Sequence, residues 1–145
     1  MEKRIKDIYD IIFDPSDIPT KDRYPIHEWY YSLINKTYEQ LNLVDVTRMI
    51  IQNVFLELAI PKAIEFLNDD PFCGERYEGE LLELLFRLDY IHLSKYQKDI
   101  CNLLLNACNK NVTYIWVCEE EREEYFKLIK AFKAKICGDG QIRRK

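Results

Sequence analysis

The sequence predicts an all-α fold, a single compact domain of six or seven helices arranged as an irregular bundle. Apolar residues recur at helical spacing along most of the 145-residue chain, and only Thr113–Val117 is β-prone by composition. Hydrophobic residues make up 48% and charged residues 32%, a balance that favours a globular chain over a disordered one. We therefore expect one helical domain over residues 1–137 and a short, mobile basic tail over residues 138–145.

The first half of the chain predicts three helices. A short helix covers Ile5–Ile12 and ends before Pro15, and a second helix covers Ile26–Leu41. A third, over Val46–Leu58, carries apolar residues on more than one face, so we expect it to be central. Pro61 has no backbone donor and should either kink this helix or begin a new one.

The second half begins with the clearest loop in the sequence, Asn68–Gly79, and then returns to helical spacing over Leu81–Leu88. The spacing of Ser94–Gln97 predicts a capping box at the start of a further helix. A lone strand at Thr113–Val117 has nothing to pair with, so this run is interpreted as an extended connector or as the start of the last helix. The last helix is predicted over Glu119–Ile136, with glutamates near its start and lysines near its end, as the helix dipole favours.

Charge and cysteine usage restrict the partners. The formal net charge is −4, which argues against a nucleic-acid partner and favours a basic protein partner. No apolar run is long enough to span a membrane. The five cysteines have no Cys-x-x-Cys spacing and fit neither a disulfide framework nor a zinc site, and Cys101 and Cys108 are interpreted as apolar core thiols. With no signal-peptide core near Met1, we expect a cytoplasmic protein.

The sequence contains no arrangement that predicts catalysis. His27 and His92 are the two histidines, and neither belongs to a metal-binding or nucleophile-activating motif. The four glycines match neither phosphate-binding fingerprint. We therefore expect no catalytic residue, metal ligand or cofactor, and a protein that is not an enzyme. The alternative is a small α-helical enzyme whose site the fold assembles from the two histidines and distant carboxylates.

Acidic and aromatic residues are the candidates for partner binding. One acidic run opens the last helix, where the dipole alone could account for it. A second surrounds the predicted loop and extends to Glu80 and Glu83, and the sequence leaves open whether the two lie side by side. Tyrosine is common in binding hot spots, and three tyrosines lie in or beside predicted loops. The candidate partner-binding residues are Glu119, Glu120, Glu121, Glu123, Glu124, Asp69, Asp70, Glu75, Glu78, Tyr24, Tyr31 and Tyr77.

An ordered series of segments over residues 50–108 resembles bacterial immunity proteins that accompany toxins of contact-dependent growth inhibition (CDI). The segments are an apolar helix running into Pro61, the acidic loop Asp69-Asp70-Pro71, the leucine-rich Leu81–Leu85, and Leu93–Ile100. The resemblance implies a cytoplasmic protein that binds a cognate toxin C-terminal domain, often a nuclease, and blocks it stoichiometrically. The remaining alternative is a helical regulatory adaptor, which predicts an exposed hydrophobic groove instead of a charged face.

Overall fold

The computed structural model describes residues 3–138, and over these residues the fold is all-α, as the sequence predicted. Six helices have eight or more residues, two are single turns, and no strand occurs in this range. The helices are α1 (Ile5–Ile8), α2 (Pro25–Ile34), α3 (Leu43–Gln52), α4 (Leu56–Asp69), α5 (Glu80–Arg87), α6 (Tyr90–Leu93), α7 (Gln97–Asn111) and α8 (Glu119–Lys133).

The chain divides into two compact units, residues 1–45 and 46–145. A single domain over residues 1–137 therefore stays a prediction. The predicted tail over residues 138–145 lies, apart from Gly138, outside the described residues.

In the first unit, the buried carboxylate of Asp45 joins three segments. Its oxygens accept hydrogen bonds from the Trp29 indole at 3.2 Å and the Lys36 ammonium at 2.5 Å. Asn42 and Asp45 also cap α3 reciprocally, each side chain accepting from the other's backbone N–H. The short side chain of Asn42 and the carboxylate three residues later form the pattern expected at a helix start.

The second helix is shorter than the sequence predicted, ending at Ile34 and not at Leu41. The Asn35 side chain donates to the Tyr31 carbonyl at 2.9 Å, which satisfies one of the free carbonyls at the helix end. The Lys36 carbonyl accepts from Ile5 N–H at 2.9 Å and is thus engaged outside the helix. The chain continues as a separate 3₁₀ turn over Tyr38–Gln40.

The predicted continuous helix over Val46–Leu58 is also wrong. The chain breaks between α3 and α4, where Asn53 and Phe55 adopt left-handed backbone conformations with φ of 60° and 49°. Pro61 does not begin a new element, because it lies inside α4. Its missing N–H removes one backbone hydrogen bond of the helix, the one to the carbonyl of Glu57.

In the second unit, α4 packs against α5 and α7, and α7 packs against α8. The run Thr113–Val117 is a connector between α7 and α8, as predicted, and α8 passes into a π-helical turn at Ala134–Gly138. The capping box predicted at Ser94–Gln97 is wrong. Those residues enter α7 through a 3₁₀ turn without a side-chain cap, and the Gln97 side chain donates to the Ile136 carbonyl at 2.8 Å.

The cysteines differ in part from the interpretation as apolar core thiols. Cys73 and Cys108 are half-buried free thiols, and Cys118 is an exposed one. Cys101 is half-buried and disulfide-bonded, so it is not the free core thiol that its helical spacing suggested. Among the described helices, none has both the length and the apolar character needed to cross a membrane.

Candidate functional site

A groove of about 810 Å³ lies where the end of the 70–79 loop, α5 and α8 come together in the second unit. We call it the acidic groove, because five glutamates and one lysine are the charged residues in its described lining. The lining residues are Tyr77, Glu78, Gly79, Glu83, Phe86, Trp116, Val117, Glu120, Glu121, Glu124, Tyr125, Lys127, Leu128 and Ala131.

An aromatic cluster forms the floor of the groove. The Phe72 ring stacks on Tyr114 at 3.7 Å between centroids and meets Trp116 edge-on at 5.5 Å. Tyr125 completes the cluster, with its ring centroid 5.4 Å from that of Trp116. The Tyr125 hydroxyl donates to the Pro71 carbonyl at 2.5 Å, and burial raises the pKa of this phenol. The cluster therefore ties α8 and the connector to the loop and gives the groove a rigid floor.

Asn111, at the end of α7, fixes the tryptophan and the start of α8. Its side-chain oxygen accepts from the Trp116 indole N–H at 2.7 Å, and its amide nitrogen donates to the Arg122 carbonyl at 3.2 Å. The Arg122 guanidinium donates to the carbonyls of Asn111 and Val112, which α7 leaves free at its end. The acidic run is thereby held in a defined orientation beside the groove.

Glu80 positions the loop that forms the rim. This residue was predicted as part of a surface acidic cluster, but it is fully buried. Its carboxylate accepts from the backbone N–H groups of Glu75 at 2.8 Å and Arg76 at 2.7 Å and from the Arg76 guanidinium. Burial opposes ionisation of Glu80, but the hydrogen bonds and charge of Arg76 outweigh it and hold the pKa of Glu80 below its ordinary value. Glu80 is therefore a structural anion that shapes the turn carrying Tyr77 and Glu78.

The backbone at Gly79 requires glycine. Its φ is +86°, in the left-handed region, and a Cβ there would lie 3.1 Å from the ring of Tyr125. The chain therefore turns into α5 directly against the aromatic floor. Any larger residue would push the rim and the floor apart.

The rim carboxylates differ in how far the protein itself satisfies them. Glu78 accepts from the Tyr114 hydroxyl, and this bond together with burial raises the pKa of Tyr114 to about 12. Glu121 accepts from the backbone N–H of Val117 at 3.1 Å. Glu124 lies 3.7 Å from Lys127, while Glu120 makes no ion pair or hydrogen bond with a described residue. Glu83 accepts from the Tyr77 hydroxyl at 2.7 Å and pairs with Arg87 at 2.5 Å, so Glu120 is the least engaged of the five glutamates among the described residues.

All twelve predicted partner-binding residues are exposed, but the structure gathers only some of them. Tyr77, Glu78, Glu120, Glu121 and Glu124 line the acidic groove together. The two acidic clusters, whose proximity the sequence left open, therefore meet there.

Five other predicted residues belong to the same unit without lining the groove. Glu75 pairs with Arg48 at 3.1 Å, and Glu119 pairs with Arg122. Asp70 caps the loop by accepting from Phe72 N–H, while Asp69 ends α4 and Glu123 points outward from α8.

Tyr24 and Tyr31 belong to the first unit, where they are 60% and 40% exposed. These two tyrosines therefore stay candidate contacts separate from those that line the groove.

The sequence did not identify the apolar part of the groove. Phe86, Trp116 and Leu128 contribute to its lining, and Val117 lies beside them with 89% of its surface exposed. The β-prone run Thr113–Val117 carried a usable signal, because a tryptophan in a connector between two helices must find a buried surface to cover it.

The histidines on which the enzyme alternative depends lie in different units. In the first unit, Nδ1 of His27 accepts from Tyr24 N–H at 3.0 Å at the start of α2. In the second, His92 lines a smaller pocket of about 350 Å³ whose described lining residues fall between Asn53 and Tyr96. Over residues 3–138, no group of three histidine, cysteine or acidic side chains is arranged to hold a metal ion.

Comparison with known proteins identifies the family. A family model described as CDI immunity proteins matches residues 11–103, which is more than half of the chain. No curated protein gives a match. The matched residues include the loop and α5 side of the groove, while the connector and α8 lie beyond them. The family is generally non-enzymatic, and its members are immunity proteins against CDI toxins. The chain belongs to the family of CDI immunity proteins.

Proposed function

We propose that this immunity protein neutralises a cognate CDI toxin C-terminal domain, a nuclease, by binding it stoichiometrically through the acidic and aromatic surface around the groove. The observation that carries the proposal is the meeting of Tyr77 and Glu78 with Glu120, Glu121 and Glu124 along one groove. Family membership supports a toxin as the partner.

A nuclease is the class of toxin that this surface suits. A nuclease binds phosphates with clustered lysine and arginine, so its substrate cleft is positive. An acidic protein surface can cover such a cleft and exclude nucleic acid from it without any bond being made or broken. The same charges accelerate encounter at low ionic strength, because opposite potentials steer diffusion. We accordingly propose that the complex forms in the cytoplasm, where nucleic acid is the toxin's target.

Aromatic residues supply the slow dissociation that protection requires. Tyr77 is 46% exposed at the rim, and the Tyr114 and Trp116 rings beneath it are fixed by hydrogen bonds. Rigid tyrosine and tryptophan side chains lose little conformational freedom on binding, which is why they dominate binding hot spots. The exposed Tyr24 and Tyr31 are proposed as further contacts from the first unit.

Charge reversal tests the proposal. The probe is the C-terminal domain of the cognate CDI toxin, titrated against the purified immunity protein in a nuclease assay and by calorimetry. The triple variant Glu120→Lys/Glu121→Lys/Glu124→Lys is expected to raise Kd by about 100-fold or more, since buried or rim charge pairs then become repulsive.

A matched control variant has the same net charge as the triple variant. Replacing Asp7, Asp17 and Asp99, three exposed acidic residues outside the groove, by lysine also changes the net charge from −4 to +2, since each replacement adds two charges. The control is expected to neutralise the toxin nearly as the wild type does. Failure of the wild-type protein to inhibit the toxin at a one-to-one ratio would contradict the proposed function.

A further inference from the structure

We infer that the acidic groove seats a segment of the toxin chain in which an apolar side chain is flanked by lysine or arginine. This inference rests on the proposed function, because it takes the toxin as the occupant. It goes further by stating the chemistry of the segment and the position at which it binds.

Apolar side chains line the floor of the groove and the adjoining connector. The connector exposes Val117 almost completely, although its neighbour Trp116 is buried. Leu128 and Ala131, one α-helical turn apart on α8, continue the same surface. Apolar side chains placed in a concave surface favour an apolar occupant, because water in such a site is released on binding.

Carboxylates surround this apolar surface. Glutamates flank the floor on the loop side at Glu78, on α5 at Glu83, and on α8 at Glu120 and Glu124. Lys127 is the single cation in the described lining, and it already lies near Glu124. Glu83 likewise has a cation beside it, Arg87 at 2.5 Å, but Glu78, Glu120 and Glu121 form no ion pair with a described residue. A purely apolar occupant would leave these three carboxylates without counter-charges, while a purely basic one would leave the floor uncovered. A segment with both features satisfies the floor and the rim together.

The size of the groove suits a short peptide segment. Its volume of about 810 Å³ lies toward the upper end of the range for small-ligand pockets, roughly 300–1,000 Å³. Along α8 the lining runs from Glu120 to Ala131, a stretch of twelve residues whose eleven steps of 1.5 Å span about 16 Å. Several consecutive side chains of a partner can therefore lie along it.

Two exposed valines provide the first test, since they carry the same side chain in and out of the groove. Val117 lines the groove and is 89% exposed, while Val112 is 72% exposed and does not line it. Val117→Lys and Val112→Lys add the same charge, so long-range electrostatics change equally in both. We expect Val117→Lys to raise Kd for the cognate toxin domain by at least 30-fold and Val112→Lys by less than threefold.

Two exposed alanines provide a steric test without any charge change. Ala131 lines the groove, and Ala134 lies just beyond it in the π-helical turn. Ala131→Trp fills the groove and is expected to weaken toxin binding at least 30-fold, while Ala134→Trp leaves it nearly unchanged. Unfolding midpoints of the four variants establish that each is folded. If the tryptophan variants prove unstable, the valine pair alone decides the test.

Overlapping peptides from the toxin domain then identify the segment. The peptide that competes for the wild-type protein is expected to contain an apolar residue next to lysine or arginine and to lose binding to Val117→Lys. Unchanged toxin binding by both Val117→Lys and Ala131→Trp would overturn the groove as the seat. If those variants also still inhibit the toxin, the proposed function stands and only this inference fails. If the wild-type protein does not bind the toxin at all, the proposed function itself fails.

Discussion

The acidic groove and the pocket around His92 lie in the same unit but differ in the charges that line them. The groove is lined by five glutamates against one lysine, over an aromatic and aliphatic floor. The His92 pocket is less than half as large and mixes Glu57 with Lys95 and His92. Charges of one sign around a concave apolar surface produce a potential that attracts an oppositely charged partner from a distance, whereas mixed charges largely cancel.

The two sites also differ in how the protein supports them. The groove's rim and floor are held by buried polar groups, chiefly Glu80 and Asn111, which make several hydrogen bonds each. At the His92 pocket, Lys95 lies 5.4 Å from the ring of Tyr96, an exposed cation–π contact of modest strength. Pre-organised polar support is what a binding surface needs for affinity, and this difference makes the groove the site to test.

The largest expected effect on the groove's framework comes from Glu80→Ala. Removing this buried carboxylate leaves two loop N–H groups without an acceptor and takes away the anion that faces Arg76. The free energy of unfolding should fall by about 2–4 kcal/mol, measured by urea denaturation.

Glu123→Ala serves as the control, because Glu123 is exposed and makes no hydrogen bond or ion pair with a described residue. It should change the free energy of unfolding by less than about 0.5 kcal/mol. A Glu80→Ala variant as stable as this control would show that the loop does not depend on the buried carboxylate.

Asn111→Ala is expected to have the next largest effect. It deprives the Trp116 indole of its acceptor and the Arg122 carbonyl of a donor, at a cost of about 1–3 kcal/mol. Tryptophan fluorescence should shift to the red, because the floor of the groove loosens and water reaches the indole. Asn102→Ala, at an exposed position of the same helix, should leave both stability and fluorescence unchanged.

Stability should depend on pH through Glu80 with a definite sign. Because the pKa of Glu80 is lowered in the folded protein, its stabilising effect is complete above the ordinary value of 4.5 and is lost as the pH falls through the folded-state pKa. The stability difference between wild type and Glu80→Gln should therefore shrink as the pH falls from about 6 to about 3. A difference that stays constant over this window would assign the effect to packing and not to charge.

The smallest effect is expected at the other site. His92→Ala and Lys95→Ala alter the smaller pocket without touching the acidic groove. Each should change Kd for the toxin domain by less than about twofold, since neither removes a contact or a charge at the proposed interface. A loss of binding comparable with that of a groove variant would move the interface to this pocket.

The sequence predicted the fold class and the exposed position of every candidate residue, because periodic apolar spacing and turn residues act locally. It failed where tertiary contacts decide. The carbonyl of Lys36 is taken by Ile5, far away in sequence, so α2 ends early. The carboxylate of Glu80 looks like any surface glutamate until the loop folds over it.

The site was predicted only in part for the same reason. The acidic run and the rim tyrosine were visible as charge and composition, but Val117, Leu128 and Ala131 become a shared surface only when α8 packs beside the loop. Trp116 lies in a run that was interpreted as a connector or as the start of the last helix, not as part of a binding surface. Its partners Asn111 and Phe72 lie on two different elements, and no local pattern joins them.

Hydrogen exchange of the complex with the cognate toxin domain tests the central claim most directly. The account predicts that toxin binding slows backbone exchange in the loop before α5, in the connector at 114–117, and along the first turns of α8. It also predicts that this protection is complete at one equivalent of toxin and that Val117→Lys reduces it when the toxin concentration is close to the wild-type Kd. Protection confined to other surfaces, with exchange around the acidic groove unchanged, would contradict the account.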